Sequence, residues 1–198
     1  MIISDSKKFI FIAIGGTGTH SIEDHLCQWN RHGEDVYIGP NPLGEERRKY
    51  SKHMAAITLR ARLDNWDDYF KFSFVRNPWD RIVSACARVE GEVHRQGIID
   101  AIQKAPYRET QWQDQLARLT DEKGEMIVDF VGRYETLQRD FDKICDRIGV
   151  PKSHLFKLNS TKHDHYSTYY DHELANMVAE IFRRDIEYFG YRLEPTCL

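Results

Sequence analysis

Gly15-Gly16-Thr17-Gly18-Thr19-His20-Ser21 follows the apolar run Phe9 to Ile14 and precedes Ile22, Leu26 and Trp29 at helical spacing. A loop of small residues between a strand and a helix turns consecutive backbone N–H groups, and the positive end of the helix, toward one point. That chemistry suits a phosphate or sulfate group. The same residues also fit an ordinary turn in which Ser21 is the N-cap and Asp24 completes a capping box. ATP or GTP hydrolysis of the Walker type is disfavoured, because G-x-x-x-x-G-K-[ST] needs a lysine and this loop has none. The dinucleotide pattern G-x-G-x-x-G matches weakly, with Ser21 in the third glycine's place.

Positioning such a loop requires alternating strands and helices. Phe70 to Val75 reads as a second buried strand and Pro78 as the first turn of a helix carrying Ile82, Val83, Cys86 and Val89, so Arg76-Asn-Pro-Trp-Asp-Arg81 is another strand-to-helix junction. Met126 to Val131 reads as a third strand. The helix after it shows Leu137, Phe141, Ile144, Cys145 and Ile148 at 3.6 spacing and stops at Gly149-Val-Pro151. Val36 to Ile38 and Phe156 to Leu158 are candidate short strands, Ala55 to Leu63 a candidate helix, and Asn65 to Tyr69 a short helical turn. Gln96 to Glu125 is polar, with weak helical character around Thr110 to Leu119. One final helix over about Asp171 to Tyr188 presents an apolar stripe of core-packing type. The expected fold is α/β, a single domain over 1–198 with a central parallel sheet flanked by helices, whose ligands bind beyond the carboxyl ends of the strands.

Composition narrows the classes. The chain has 198 residues, 30% of them charged, and a net charge of -3, so bulk basicity for nucleic acid is absent and no nucleic-acid partner is expected. The four cysteines are far apart and form no C-x-x-C pair, which argues against a zinc ribbon; no metal is expected, and a reducing cytoplasm fits. The apolar run after Lys7-Lys8 is far short of the roughly 20 residues that span a bilayer. No signal peptide, membrane span or internal repeat is read.

Read together, the loops resemble those of a sulfotransferase using 3′-phosphoadenosine 5′-phosphosulfate (PAPS), of the carbohydrate-type or family 2 branch. FIFIAIGGTGTHSI is similar to the family's 5′-phosphosulfate loop, F-x-x-[IV]-P-K-T-G-x-x-[ST]. YFKFSFVRNPWDRIVSA resembles its 3′-phosphate segment. VDFVGRYETLQRDFDKICDRIGV and LNSTKHDHYSTYYDHELANMVAEIFRRDIEYFGY resemble its carboxyl-terminal half. The resemblance implies a P-loop NTPase-like sulfotransferase fold. It also implies cofactor contacts from Gly16, Thr17, Gly18, Thr19, His20 and Ser21 at the 5′ end, and from Arg76 and Ser84 at the 3′-phosphate, the guanidinium as a fork and the hydroxyl as a single donor.

By the same resemblance Tyr134 flanks the adenine, with a plain core tyrosine as the alternative, and Ser160, Thr161 and Lys162 fold over the nucleotide as secondary ligands. Asp80 and Arg81 are expected to pair or cap locally. The departure is at Gly15-Gly16, where the family has Pro-Lys. The family lysine places positive charge where negative charge grows during transfer, and losing one such donor costs about 2.7 to 4 kcal/mol.

His20 is the nearest substitute in sequence. As the base that takes the acceptor's proton, His53 in Lys52-His53-Met-Ala-Ala is favoured and His20 is the runner-up. The reaction expected is sulfuryl transfer from PAPS to a hydroxyl of a glycan or related metabolite, leaving adenosine 3′,5′-bisphosphate (PAP). The alternative is a catalytically weak or inactive PAP/PAPS-binding relative acting as sensor or interaction module. A nucleotide or sugar kinase on a similar sheet is disfavoured by the missing Walker lysine. Acceptor specificity is assigned to Arg31 to Lys52 and Gln96 to Lys123; neither the acceptor nor the oligomeric state is readable.

Overall fold

The computed structural model describes residues 1–28, 36–37, 52–104, 114–156, 158 and 162–194. The chain divides into two compact units, Met1–Val75 with Ala117–Leu158, and Arg76–Leu116 with Asn159–Leu198.

The first unit holds the sheet. β1 (Ile2–Ser4), β2 (Phe9–Ile12), β3 (Val36–Tyr37), β4 (Phe70–Val75) and β5 (Phe130–Arg133) form one five-stranded sheet in the order β3-β1-β2-β4-β5. β2, β4 and β5 run parallel, with Ile12 beside Ser73 and Val75 beside Arg133, so their carboxyl ends lie next to one another. β1 is antiparallel to both β2 and β3. The sheet is therefore mixed rather than parallel throughout, and β1 is an added element: three residues before a tight turn at Asp5 to Lys8 are too short to show a period.

β2 is buried along its whole length, as continuous apolar strands in covered parallel sheets are. Phe9 faces Phe70 and Phe11 faces Phe72 in register, and the Phe11 and Phe72 rings stack at 5.2 Å between centroids. Such aromatic pairs add about 0.5–1.5 kcal/mol beyond their buried area. α1 (Thr19–Cys27), α2 (Ala56–Arg60) and α5 (Leu137–Ile148) belong to this unit. α5 buries Phe141, Ile144, Cys145 and Ile148 and ends on Gly149 at φ 66°, as its sequence requires.

The second unit is helical: α3 (Pro78–Glu90), α4 (Arg95–Lys104), α6 (His172–Ile181) and α7 (Arg183–Phe189). Pro78 opens α3, and the Asn77 side chain caps it by accepting the Trp79 N–H at 3.1 Å. Trp79 is fixed in turn, its indole N–H donating to the Ala175 carbonyl and its own carbonyl accepting from the Tyr170 hydroxyl.

Four expectations need correction here. α4 occupies Arg95–Lys104, where only polar chain is read, because Gly97 lowers the propensity of a segment that Ile98 and Ile102 nonetheless anchor in the core; in the stretch of weak helicity the described residues hold a 3-10 turn at Leu116–Arg118, and 110–113 lie outside the described residues. The single last helix is two, broken at Phe182 (φ -104°, ψ 26°) while the apolar stripe continues across the break. The third strand lies at Phe130–Arg133, with Met126 instead bridging Thr120. At Phe156 and Leu158 the chain turns, Leu158 N–H bonding the Phe156 carbonyl at 2.9 Å, where a strand is expected.

Candidate functional site

In the first unit, the loop leaves β2 at Ala13 and enters α1 through two left-handed residues, Gly16 at φ 84° and Gly18 at φ 82°. Only glycine adopts that region freely; another residue pays roughly 1–2 kcal/mol. A lysine in the place of Gly16 would thus be strained in this loop. A Cβ at Gly18 would also lie 2.9 Å from Leu137 Cδ2 and 3.4 Å from the Tyr134 ring, so the Leu137 side chain would have to move.

Gly18, not Ser21, is the N-cap of α1. Ser21 is buried on the first turn and its hydroxyl accepts the Leu158 N–H at 3.3 Å. The hydroxyls of Thr17 and Thr19 both donate to the Ile14 carbonyl at 2.8 Å. With those protons committed to bracing the turn, backbone N–H groups are what the loop offers an anion, as at any helix start whose first turn lies outside the intrahelical ladder.

The structure brings Tyr134 and His53 to this loop. Tyr134 starts a 3-10 turn after β5 and its ring packs at Gly18. Asp140 braces that turn, accepting from the Arg133 N–H at 3.1 Å and the Thr136 hydroxyl at 2.7 Å. Burial opposes ionisation of Asp140, but these bonds with those from Arg139 and Lys143 outweigh it and hold the carboxyl down at about 2.

His53 Nδ1 lies 3.1 Å from the Ala13 carbonyl. A carbonyl only accepts, so Nδ1 carries the proton and neutral His53 keeps a basic Nε2. Burial lowers its pKa from 6.5, against the Ala13 bond and with help from Lys52 and Arg118, so the ring is neutral at pH 7. Lys52, its neighbour, places Nζ 2.8 Å from Glu23 Oε2 and 3.4 Å from His20 Nε2. Next to an ammonium donor, His20 Nε2 is an acceptor, and the positive charge at the loop's end belongs to Lys52.

In the second unit, Arg76 is buried and its guanidinium forks onto Asp80, Nε to Oδ2 at 2.7 Å and Nη2 to Oδ1 at 2.9 Å. Asp80 and Ser84 are four apart on α3 and share a face, so the fork lies on the side of the helix that carries the Ser84 hydroxyl. Sequence reasoning missed what sets the Arg76 backbone. Gln115, fully buried, accepts the Arg76 N–H through Oε1 at 3.0 Å and donates Nε2 to the Arg76 carbonyl at 2.9 Å. Asp185 on α7 holds Gln115, accepting from its backbone N–H, from Nε2 and from the Leu116 N–H. These are pairings across about seventy residues, and no spacing signal announces them.

Burial first, then the Asp114 carboxyl beside it, pushes Asp185 up to about 7. The folded chain therefore holds a proton between 3.8 and about 7 that the unfolded chain releases, and stability falls as pH rises through that window. Asp140 works oppositely: its contribution is present above 3.8 and is lost as pH falls toward about 2. In thermal melts across pH 4 to 8, Asp114→Asn should flatten the decline on the alkaline side, and a wild-type midpoint that rises from pH 5 to 7.5 would contradict this.

Lys162 lines a cleft of about 520 Å³ in the second unit with Glu92, His94, His163, Asp164 and Tyr169. Ser160 and Thr161 lie outside the described residues, as does most of Arg31 to Lys52. Among the described residues, no cluster of His, Cys, Asp and Glu could hold a metal ion, and no helix is long and apolar enough to cross a membrane. Cys86 and Cys145 are buried on helices and burial pushes the Cys145 thiol up to about 11, consistent with packing rather than reactivity.

An uncharacterized protein of Archaeoglobus fulgidus is 30% identical over 126 residues, 57% of this chain and 97% of the relative. A family model described as "Sulfotransferase family" matches residues 1–192, from β1 through the loop, the Arg76 junction and α7. The glycine loop, the Arg76 fork and the Tyr134 turn all fall inside that match, and the chain belongs to the sulfotransferase family, in its family 2 branch.

Proposed function

We propose that this sulfotransferase takes its sulfuryl group from PAPS and delivers it to a hydroxyl of a glycan or related metabolite, in a reducing cytoplasm. The donor set fits such a cofactor: backbone N–H groups at the loop, an arginine fork with a serine hydroxyl beside it, and an aromatic ring packed on the loop. Gly16, Thr17, Gly18, Thr19, His20 and Ser21 would hold the 5′ end, Arg76 and Ser84 the 3′-phosphate, Tyr134 the adenine, and Ser160, Thr161 and Lys162 the outer side. When bound, PAPS supplies an activated sulfuryl group whose transfer breaks its S–O bond to the 5′-phosphate, forms one to the acceptor oxygen, and leaves PAP.

His53 takes the acceptor's proton on Nε2. The observation that carries the catalytic reading is the Nδ1 bond to Ala13, which holds a neutral imidazole at the root of the loop with its basic nitrogen fixed. The rate should therefore fall only on the acid side, below the ordinary histidine value of 6.5, because burial moves the His53 pKa downward. One observation favours the non-catalytic reading: Gly16 at φ 84° stands where the family carries its lysine.

Transfer of radiolabelled sulfate from PAPS to a panel of glycans tests the choice. The wild-type chain should label at least one acceptor, and His53→Ala should lower that rate about 100-fold or more, the usual worth of a general base. PAP binding without any transfer would make the chain a sensor, and equal rates for His53→Ala would remove the base.

A further inference from the structure

A loop without lysine leaves the charge on the departing 5′-phosphate to some other cation, and we propose that Lys52 is that cation, its ammonium meeting the 5′ end of the bound nucleotide. This rests on the nucleotide reading above. Gly16, at φ 84°, cannot be the position of a relaxed lysine, so the charge must reach the loop from another segment. The segment Lys52-His53 is fastened to both flanks of the loop. His53 hangs from Ala13, where the chain leaves β2, and Lys52 meets His20, where it has entered α1.

Glu23 fixes the ammonium. Its carboxylate is 2% exposed and lies one turn after His20 on α1, with Oε2 at 2.8 Å from Lys52 Nζ and Oε1 accepting from the Met1 ammonium. The Lys52 side chain is 18% exposed, so its charge borders solvent while its partner is buried. An ammonium has three N–H donors. Glu23 holds it as an ion pair and His20 takes one N–H, and the donors that remain suit a phosphate oxygen. In the transfer step electron density moves from the breaking S–O bond onto that phosphate, and a fixed cation there lowers the barrier without reorganising. Lys52 thus supplies charge to the leaving group while His53, next to it, receives the acceptor's proton.

Calorimetry on the full chain separates this from the wider reading, using adenosine 3′,5′-bisphosphate and adenosine 3′-monophosphate as probes. Lys52→Met should weaken the bisphosphate about 10-fold and leave the 3′-monophosphate unchanged, because only the former carries a 5′-phosphate; Lys52→Arg should restore most of the difference. Sulfuryl transfer by Lys52→Met should fall roughly 100-fold to 1000-fold. The double variant Glu23→Gln/Lys52→Met avoids stranding a buried carboxylate and should behave as Lys52→Met does. If the wild type binds the bisphosphate and both Lys52→Met chains bind it equally well, or lose both probes alike, the role of Lys52 is overturned and the nucleotide reading stands. If the wild type binds neither probe, both fall.

Discussion

Arg76→Lys is expected to weaken adenosine 3′,5′-bisphosphate binding about 10-fold to 100-fold while leaving adenosine 5′-monophosphate untouched. The guanidinium in this structure is a planar fork, aligned by two bonds to Asp80 on the face of α3 that carries Ser84. A lysine offers a point charge on a flexible stem and cannot make both bonds to Asp80 while presenting a donor edge to a phosphate. Each charge-assisted hydrogen bond is worth about 1.5–3 kcal/mol, and 1.4 kcal/mol is tenfold in affinity. Lysine is the informative variant because alanine would leave Asp80 without its main counter-ion, and breaking a buried pair costs about 3–5 kcal/mol of stability by itself. Equal bisphosphate affinities for wild type and Arg76→Lys would take Arg76 out of the site.

The second large effect belongs to Gln115. Its amide makes to Arg76 the two bonds that a neighbouring strand would make, and its Nε2 also reaches Asp185 at 3.1 Å. Gln115→Leu keeps the volume and removes all three bonds in a fully buried place, at about 1–3 kcal/mol each. The total is about 3 kcal/mol or more, a large part of the ordinary 5–15 kcal/mol margin. In a chain of this length each kcal/mol lowers the melting midpoint by about 2–4 °C, so a drop of roughly 6 °C or more is expected by scanning calorimetry. A midpoint within 2 °C of wild type would show that the clasp contributes little.

What could be read beforehand divides along physical lines. The loop and α1 were legible because an apolar run, a cluster of small residues and a 3.6 period follow one another directly. Pro78 and Gly149 marked helix ends for reasons of backbone geometry alone. The alternative of a Ser21 N-cap arises because sequence favours a serine there, whereas Gly18 in the left-handed region turns the chain three residues earlier and leaves Ser21 to accept from Leu158.

The neutral tautomer of His53, the Lys52 to Glu23 pair and the Gln115 to Asp185 clasp had no local signature. Each joins a side chain to a partner some thirty to seventy residues away, and only the packed chain brings them together. These invisible pairs, more than the motifs, hold the charged groups beside the loop and the backbone of the Arg76 junction in place.

On the function proposed above, one nucleotide would be held at both of its phosphates, by the Gly15 to Ser21 loop at one end and by Arg76 and Ser84 at the other. Titration calorimetry of the full chain with adenosine 3′,5′-bisphosphate, adenosine 5′-monophosphate, adenosine 3′-monophosphate and ATP measures it directly. The expected result is a single site at which the bisphosphate binds at least about 10-fold tighter than either monophosphate, since each end would contribute at least one charge-assisted bond, with ATP far weaker. A bisphosphate no tighter than the monophosphates, or an ATP site of equal strength, would contradict it.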